Sequence, residues 1–463
     1  MSERALEKRT ELQGLSTAVL LPSIDLFGGS VRKTLGPLTQ IVGVGLFQRT
    51  VLTLQRAGIR QLIVLAGSEE DQLKQALGKG PRVTIPVRWM PIREFPLDDP
   101  RTWESLAAEV HGFCLLSGVS TVFSRQLIEQ LRQDVQEGQA MVVMRASNEH
   151  LHQSEQTPLR GVTLGSNWSG IADFMVLPAS ELRTAGRLAG ETGTVPISRW
   201  LQRATIDGRV RIVTTGADPS RWYHPVCTSA DVRQAERQLF SSLKGEFEGF
   251  IDRYFNRKLS RWFTRIFLAL GVSPNVITMV ATLVGLLAAV VFGFGTYIAG
   301  VAAALLFQLA AVIDCSDGEV ARLTFTESPF GAWLDIAMDN VVHMAIFGGI
   351  AIGAYMNATG SEQTLIPLGL GAAAILGNLL SFALVNRAQK IRTASEWKTP
   401  VHAAWSDFML KNVASRDFSV VVFLFALFGK LEWFLGIAAI GSIMFALVMV
   451  WVIRPSAVVT AKA

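Results

Sequence analysis

The stretch DCSDGEVARLTFTESPFGAWLDIAMD, residues 314–339, carries four aspartates at the ends of two apolar segments. Asp314 and Asp317 lie three residues apart, and Asp335 and Asp339 lie four apart, so on helices each pair shares one face. The short connection between the pairs predicts two antiparallel neighbouring helices whose aspartates face a common gap. A carboxylate near the centre of a membrane helix costs roughly 2.5–3.5 kcal/mol on insertion scales, so these groups need compensation.

A divalent cation is the partner that these carboxylates indicate. Oxygen ligands attract hard cations such as Mg²⁺ or Mn²⁺, and no histidine or cysteine is spaced to make a zinc site. Gly318, Ala321 and Gly331 remove side-chain bulk, which lets a flat base or a phosphate approach the backbone. Arg322 can pair with a phosphate through its planar guanidinium. The alternative, a buried ion-pair network, is disfavoured because four acids face one nearby arginine.

Apolar segments surround this stretch. Hydrophobic residues make up 50% of the 463-residue chain, the mean hydropathy is +0.34, and the excess is concentrated towards the C-terminus. Six membrane spans are predicted, at about 275–295, 297–313, 331–355, 364–385, 417–430 and 433–453. Basic residues cluster in alternate connections, so the positive-inside rule predicts an inner-membrane protein with both termini in the cytoplasm. Gly349 and Gly353 form a small-xxx-small pair that suggests close helix packing.

A basic amphipathic helix is predicted just before the first span, over residues 253–268. Its apolar side chains share one helical face: Leu259, Trp262, Phe263, Ile266 and Phe267. Its basic side chains share the other: Arg257, Lys258, Arg261 and Arg265. This pattern is typical of a helix lying in the membrane interface, and the alternative is a charged face on a soluble helix.

The chain before this helix has a different character. Strand-like runs such as STAVLL and QLIVLAG alternate with helical patterns such as LFQRTVLTLQRAGI and EDQLKQALG. Alternation of this kind predicts an α/β, Rossmann-like domain with a largely parallel sheet. The predicted organisation is therefore an α/β domain over residues 1–232, a linker with the interfacial helix over 233–272, and an all-α membrane domain over 273–463.

Charge and cysteine content narrow the partners and the compartment. The net charge is +5, and the basic residues gather near the apolar segments, which favours anionic lipid head groups over nucleic acid. Cys114, Cys227 and Cys315 have no paired spacing, so a reducing compartment is expected. The opening MSERALEKRT lacks an apolar core, so no cleavable signal peptide is expected.

The acidic stretch resembles a known signature. The order Asp-x-x-Asp-Gly-x-x-Ala-Arg, then eight residues, then Gly-x-x-x-Asp-x-x-x-Asp is similar at every fixed position to that of the CDP-alcohol phosphatidyltransferase family. The resemblance runs from about Arg253 to Arg454 and includes SPNVIT, residues 273–278. It implies six membrane helices, a homodimer, two divalent ions (Mg²⁺ or Mn²⁺), and displacement of CMP from a CDP-alcohol by a hydroxyl acceptor.

The resemblance also assigns roles to residues. Asp314, Asp317 and Asp335 would hold one metal, and Asp314, Asp335 and Asp339 would contribute to the second. Asp339 would also be the general base for the incoming hydroxyl. A separate basic cluster could hold a phosphate on the acceptor, as in the branch of the family that uses phosphorylated inositol: Lys390, Arg392, Lys411 and Arg416. Positive-inside anchoring is the alternative explanation of that cluster.

The N-terminal domain carries a second resemblance. VGVGLFQRTVLTLQRAGIRQLIVLAG is similar to the core of sugar-phosphate nucleotidyltransferases, which in some fusions with this membrane domain make CDP-inositol. The expected glycine-rich loop is absent, Gly36 replaces a lysine, and Val119 replaces a metal-binding aspartate. The late Asp-Val-Asp-Thr segment reads Pro225-Val226-Cys227-Thr228. These losses predict a degenerate, catalytically inactive domain.

Three functional hypotheses follow from the sequence. The favoured one is a membrane-embedded CDP-alcohol phosphotransferase. The others are a nucleotidyltransferase on a membrane anchor and a non-catalytic membrane scaffold or transporter whose acids only bind ions. Two substrate pairs stay open for the first: CDP-diacylglycerol with a polyol phosphate, and CDP-inositol with inositol phosphate.

Overall fold

The structure is a computed structural model. It describes residues 14–22, 35–78, 83–135, 139–145, 171–190, 200, 203–204, 207–215, 220–243, 257–358, 364–394 and 418–452. The chain divides into two compact units, Met1–Ser242 and Leu243–Ala463.

The first unit is built on a mostly parallel sheet. Its described strands are β1 (Leu15–Leu21), β2 (Gln40–Ile41), β3 (Val44–Gly45), β4 (Gln61–Ala66), β5 (Val87–Pro91), β6 (Phe113–Gly118), β7 (Thr121–Phe123), β8 (Ala140–Arg145), β9 (Ile171–Pro178), β10 (Val210–Thr215) and β11 (Tyr223–Pro225). Seven of them form one sheet in the order β10-β8-β9-β6-β1-β4-β5. Within it β9 runs antiparallel to both neighbours, and the other pairs are parallel.

Helices cover this sheet on both faces. The described helices of the unit are α1 (Leu46–Arg56), α2 (Glu70–Gly78), α3 (Pro100–Glu109), α4 (Arg125–Asp134), α5 (Ala179–Gly190) and α6 (Ser229–Ser242). Alternate side chains of β1 enter two separate cores, with Val19 and Leu21 in one and Ala18 and Leu20 in the other. A strand buried on both faces reads as a continuous apolar run, which is how β1 appears in the sequence. The predicted α/β class is confirmed.

The second unit is all-helical. Its described helices are α7 (Arg257–Ala269), α8 (Pro274–Phe292), α9 (Tyr297–Thr324), α10 (Pro329–Asn357), α11 (Ile366–Ala394), α12 (Phe418–Leu427) and α13 (Leu431–Val452). Five are long and apolar enough to cross a membrane: α8, α9, α10, α11 over Ile366–Arg387, and α13 over Leu431–Trp451. The predicted fifth span contains α12, which has 10 described residues.

The boundary between the two units lies later than the sequence indicated. Helix α6 runs to Ser242 and belongs to the first unit, beyond the expected domain end at residue 232. Its Ala235 and Phe240 are buried. An amphipathic helix packed on its own unit is hard to separate from a linker helix by pattern alone, because both show the same periodicity. Two further sequence predictions, a loop over the polar stretch 147–159 and a turn at Gly28–Gly29, lie outside the described residues.

Two glycines of α10 allow it to approach α8 closely. A Cβ added at Gly349 would overlap the carbonyl oxygen of Ala289, and one added at Gly353 would overlap that of Phe292. The small-xxx-small pair therefore lies at a helix–helix contact, where small residues let two backbones come together.

Replacing Gly349 by alanine should destabilise the helical unit by about 1–3 kcal/mol, because the new methyl group forces α10 away from α8. The matched control is Gly441→Ala in α13, where an added Cβ has nothing within 4 Å. Thermal unfolding in detergent should show a lower Tm for Gly349→Ala than for the control. Equal melting temperatures would contradict the close packing.

Candidate active site

Two helix ends place the acidic residues. Helix α9 ends at Thr324, and Phe325 follows in the left-handed conformation with φ 61°. Helix α10 begins at Pro329, and the Ser328 hydroxyl accepts a hydrogen bond of 3.0 Å from the Gly331 N–H. Serine before the first turn and proline within it are typical start signals. The tight connection brings the acidic parts of α9 and α10 to the same end of the unit.

Helix α8 packs against both α9 and α10. Gly285 of α8 lets Val342 of α10 approach it closely. Aspartates of α9 and α10 face a common gap, as the sequence predicts. The space between α9 and α10 is bridged by side chains rather than by close backbone packing, which leaves a gap at the acidic residues.

Three of the four predicted aspartates converge in this gap. Carboxylate oxygens of Asp314, Asp317 and Asp335 all lie within 4.8 Å of one another. Asp314 and Asp317 are buried, with 7% and 5% exposure, and Asp335 is half-buried. Asp339 is also half-buried but lies outside this group, one turn further along α10.

The chemistry of this group fits a hard divalent cation. In the described part of the chain, the group consists of carboxylates alone. Oδ1 of Asp335 is buried and has no hydrogen-bond partner among the described residues. Buried carboxylate oxygens are costly when unpaired, so an oxygen without a donor among converging acids is consistent with metal ligation. The residues present therefore fit the implied Mg²⁺ or Mn²⁺.

Helix α8 orients one of these ligands. The Thr278 hydroxyl donates a hydrogen bond to Oδ2 of Asp317, and the Thr282 hydroxyl donates to the Thr278 carbonyl oxygen at 2.8 Å. Hydrogen-bonding partners of this kind fix the orientation of a ligating carboxylate. The sequence identified Thr278 only as part of the SPNVIT segment, because spacing does not show which residue faces Asp317.

The small residues of the signature lie where a ligand needs room. An added Cβ at Gly318 would lie 3.2 Å from Nη1 of Arg322, so the guanidinium lies over this glycine. An added Cβ at Gly331 would lie 3.2 Å from Oδ1 of Asn275. Ala321 is half-buried and Arg322 is exposed. The guanidinium is thus accessible to an anion beside the acidic group.

Helix α7 is amphipathic over the described residues, as predicted, and only part of its apolar face is packed. Phe263 and Phe267 pack on a core formed by α8 and α9, whereas Leu259 and Trp262 are exposed, the latter by 58%. Two buried hydroxyl residues beside the packed side chains contact Glu319 of α9. The sequence does not indicate this contact, since Glu319 occupies a variable position of the signature.

His343 lies one turn beyond Asp339. Its ring centroid is 4.8 Å from that of Phe418 and 6.1 Å from that of Phe307. The His343 ring therefore packs among aromatic side chains of the helical unit.

The predicted acceptor cluster is only partly described. Lys390 and Arg392 lie on α11, whose backbone is described there without its side chains. Lys411 and Arg416 lie outside the described residues. The described residue nearest in sequence to Arg416 is Phe418, which contacts His343.

In the first unit, the two positions expected to hold metal ligands in a nucleotidyltransferase come together. Strand β11 pairs with β7, and the Val226 N–H donates to the Ser120 carbonyl oxygen at 2.9 Å. Val119 is buried with 2% exposure, and Pro225 and Cys227, which stand where the resemblance expects two aspartates, are half-buried. None of these three residues carries the carboxylate that such chemistry needs.

The segment after β11 serves as a helix cap. The Asp231 carboxylate accepts hydrogen bonds from the N–H groups of Thr228 at 2.7 Å and Cys227 at 3.1 Å. Partial burial raises the pKa of Asp231, but the bonds from Thr228 and Cys227 outweigh it and hold the pKa below its ordinary value. This carboxylate is committed to the start of α6.

Comparison with known proteins agrees with a site in the helical unit. Residues 271–462 match the model of the CDP-alcohol phosphatidyltransferase family. The chain is 26% identical over 357 residues to the bifunctional IPC transferase and DIPP synthase of Aquifex aeolicus (strain VF5), covering 73% of this chain and 77% of that protein. A protein of the same name from Rubrobacter xylanophilus is 26% identical over 362 residues, covering 75% of this chain and 79% of its own.

One solved structure, the apo phosphatidylinositol phosphate synthase of Mycobacterium tuberculosis, is 21% identical and covers 42% of this chain and 98% of its own, with a TM-score of 0.29. The family match contains all four aspartates of the acidic stretch, and the three that converge lie within it. Residues 271–462 are therefore similar to the CDP-alcohol phosphatidyltransferase family over the part of the chain that carries the acidic group.

Proposed function

We propose that the helical unit transfers a substituted phosphate group from a CDP-alcohol to a hydroxyl acceptor, with release of CMP, in the gap between α9 and α10. CDP-alcohol phosphotransfer is the activity class of the matched family. The observation that carries the residue-level proposal is the convergence of Asp314, Asp317 and Asp335 within 4.8 Å, where Oδ1 of Asp335 has no hydrogen-bond partner in the described part of the chain.

These three aspartates would hold one divalent ion, and Asp314, Asp335 and Asp339 would contribute to a second. Bound Mg²⁺ or Mn²⁺ would stabilise charge on the pyrophosphate oxygens and on the departing CMP. Thr278 keeps Asp317 turned towards the gap. Arg322, exposed beside Gly318, would pair with a phosphate oxygen of the donor.

Asp339 would accept the proton of the incoming hydroxyl. The acceptor oxygen forms a new bond to phosphorus, the bond from phosphorus to the oxygen of CMP breaks, and the hydroxyl proton moves to the Asp339 carboxylate. A general base must lie within hydrogen-bond reach of the nucleophile. Asp339 is half-buried and lies one turn from Asp335 on α10, so its position outside the three-oxygen group suits this role.

The substrate pair is a separate part of the proposal. The relative from Aquifex aeolicus is named as an IPC transferase and DIPP synthase, and its alignment covers more of this chain than either unit holds. This supports testing CDP-inositol with inositol phosphate beside CDP-diacylglycerol with a polyol phosphate. An acceptor phosphate would bind the basic cluster of Lys390, Arg392, Lys411 and Arg416.

The membrane arrangement is also proposed. The unit would cross the inner membrane six times, with α12 belonging to the fifth span and the N-terminal unit in the cytoplasm. Five long apolar helices support a membrane location, and the distribution of basic residues supports the orientation. Anionic lipids would surround the basic end of the unit, and the functional form would be a homodimer.

The first unit would be a nucleotidyltransferase-like domain that has lost its chemistry. Its described strands form an α/β sheet, but Val119, Pro225 and Cys227 stand at the positions of the expected metal ligands. The alternative of an active nucleotidyltransferase on a membrane anchor is disfavoured for the same reason.

Asp335→Asn should weaken Mn²⁺ binding to the detergent-solubilised protein by more than about tenfold, because the change replaces a charged ligand oxygen by a neutral amide. Mn²⁺ electron paramagnetic resonance titration measures this directly. The control is Glu327→Gln in the α9–α10 connection, which removes the same charge outside the group and should bind Mn²⁺ as the wild type does. Equal affinity in both variants would place the metal centre elsewhere.

Asp339→Asn should lower the rate of CMP release by about 10²–10⁴-fold, because the hydroxyl loses its proton acceptor. The assay supplies Mg²⁺ with each of the two substrate pairs, and the wild type should release CMP with one of them. The variant should keep the wild-type Tm and one bound Mn²⁺. Turnover close to that of the wild type would assign the base to another residue, and no CMP release by the wild type with any CDP-alcohol would overturn the proposed activity.

The full chain carrying Asp335→Asn, incubated with CTP, Mg²⁺ and inositol phosphate or other sugar phosphates, should release no pyrophosphate. The reason is that Val119, Pro225 and Cys227 stand in place of the expected metal-binding carboxylates. A coupled pyrophosphate assay makes the measurement. Sustained release would show that the first unit is an active nucleotidyltransferase.

A further inference from the structure

Glu319 is the most buried carboxylate near the acidic gap, and it is not one of the proposed metal ligands. Its exposure is 2%. Oε1 accepts a hydrogen bond of 3.1 Å from the Ser260 hydroxyl, and Oε2 accepts one of 2.6 Å from the Thr264 hydroxyl. Both donors lie on α7 and are fully buried. The carboxylate is thus paired at both oxygens by one neighbouring helix.

A further contact joins the same two helices. The Ser316 hydroxyl of α9 donates to the carbonyl oxygen of Ser260 at 3.2 Å. Ser260 and Thr264 are four residues apart and therefore lie one above the other on the same face of α7. Phe263 and Phe267 flank them and pack on the core shared with α8 and α9. Polar and apolar contacts together fix α7 against α9.

These contacts hold α9 at the point where it carries metal ligands. Asp317 and Glu319 are two residues apart, so they point to nearly opposite sides of the helix. Asp317 receives its hydrogen bond from Thr278 of α8, and Glu319 receives two from α7. The segment is held from both sides, and its rotation about the helix axis depends on both sets of bonds.

Because Glu319 is buried, the folded structure requires its hydrogen bonds with α7. An ionised carboxylate that loses its donors in an apolar environment is strongly unfavourable, so Glu319 requires α7 in this position. Helix α7 in turn exposes Leu259 and Trp262, side chains suited to a membrane interface. The helix that fixes the rotation of α9 is therefore also the one whose exposed side chains suit a membrane interface.

We propose that Ser260, Thr264 and Glu319 form a latch that positions Asp314 and Asp317 opposite Asp335. Glu319 and its two donors are positioning residues, since none of them belongs to the three-aspartate group. The inference rests on the proposed metal centre. It predicts that breaking the latch weakens metal binding even when the unit remains folded.

The experiment compares four variants in detergent: two that break the latch, one that keeps its hydroxyls and one control. Ser260→Ala/Thr264→Val removes both hydroxyl donors, and Glu319→Gln is a milder variant that keeps the side-chain volume. Ser260→Thr/Thr264→Ser exchanges the residues but keeps both hydroxyls. The matched control is Ser381→Ala, which removes a buried hydroxyl that donates to the carbonyl oxygens of Gly377 and Ser442, away from α7. Each protein is assayed for Tm, Mn²⁺ binding by electron paramagnetic resonance, and Mn²⁺-dependent CMP release.

The donor-free double variant should bind Mn²⁺ about tenfold more weakly, as is typical when the support of a metal ligand is removed. Glu319→Gln should show a smaller loss, and the hydroxyl-keeping variant should bind as the wild type does. CMP release by the latch variants should recover at saturating Mn²⁺. Ser381→Ala should lower Tm without changing Mn²⁺ affinity.

Two outcomes would overturn the latch in different ways. If the latch variants lose Tm as Ser381→Ala does but keep wild-type Mn²⁺ affinity, the contact is merely structural. If the double variant does not fold, Glu319→Gln decides, and wild-type affinity there rejects the inference. Failure of the wild type itself to bind Mn²⁺ would instead remove the metal centre, and with it the proposed function on which the latch rests.

Discussion

The energetic cost of carboxylates in apolar helices is the constraint on which the helical unit depends. Asp314, Asp317, Glu319 and Asp335 occupy 22 residues of chain within or beside two of its longest apolar helices. Water solvates such groups poorly there, so each must be paired or must bind a cation. Thr278 donates a hydrogen bond to Asp317, and hydroxyls of α7 donate to Glu319, whereas one oxygen of Asp335 has no donor within the described ranges. These hydrogen bonds therefore distinguish Glu319, which holds two helices together, from the three aspartates that converge on the gap.

Helix α8 makes this separation possible. It packs against α9 and α10, so the two acidic helices can face each other without closing the space between them. Close approach of α10 requires glycine at 349 and 353, since any side chain there would meet the carbonyl oxygens of α8. Small residues in the apolar half of the helices therefore determine the width of the gap at their polar ends. A bulky residue far from the aspartates would move them as a consequence of helix geometry.

The sequence predicted some of these features because they have a local or periodic signal. Long apolar runs predicted the membrane helices, alternation predicted the α/β class, and spacing placed Asp314 with Asp317 and Asp335 with Asp339 on helix faces. It could not predict that Glu319 contacts α7, because one glutamate and two hydroxyl residues separated by more than 50 positions carry no periodic pattern. Nor could it predict that α8 packs against both α9 and α10, since the spacing of apolar residues does not show which helices meet.

The two units show how differently fold and chemistry respond to substitution. In the first, the described sheet has an apolar core on each face, and the buried Val119 stands where the nucleotidyltransferase resemblance expects a carboxylate. A valine there avoids the energetic cost of burying charge, and a fold does not depend on the chemistry of its site. In the second, three buried or half-buried aspartates lie together despite that cost. Carboxylates that oppose one another across an open gap raise the energy of the folded protein unless a cation binds between them. This contrast is why the proposed metal-dependent chemistry is placed at α9 and α10 rather than in the α/β unit.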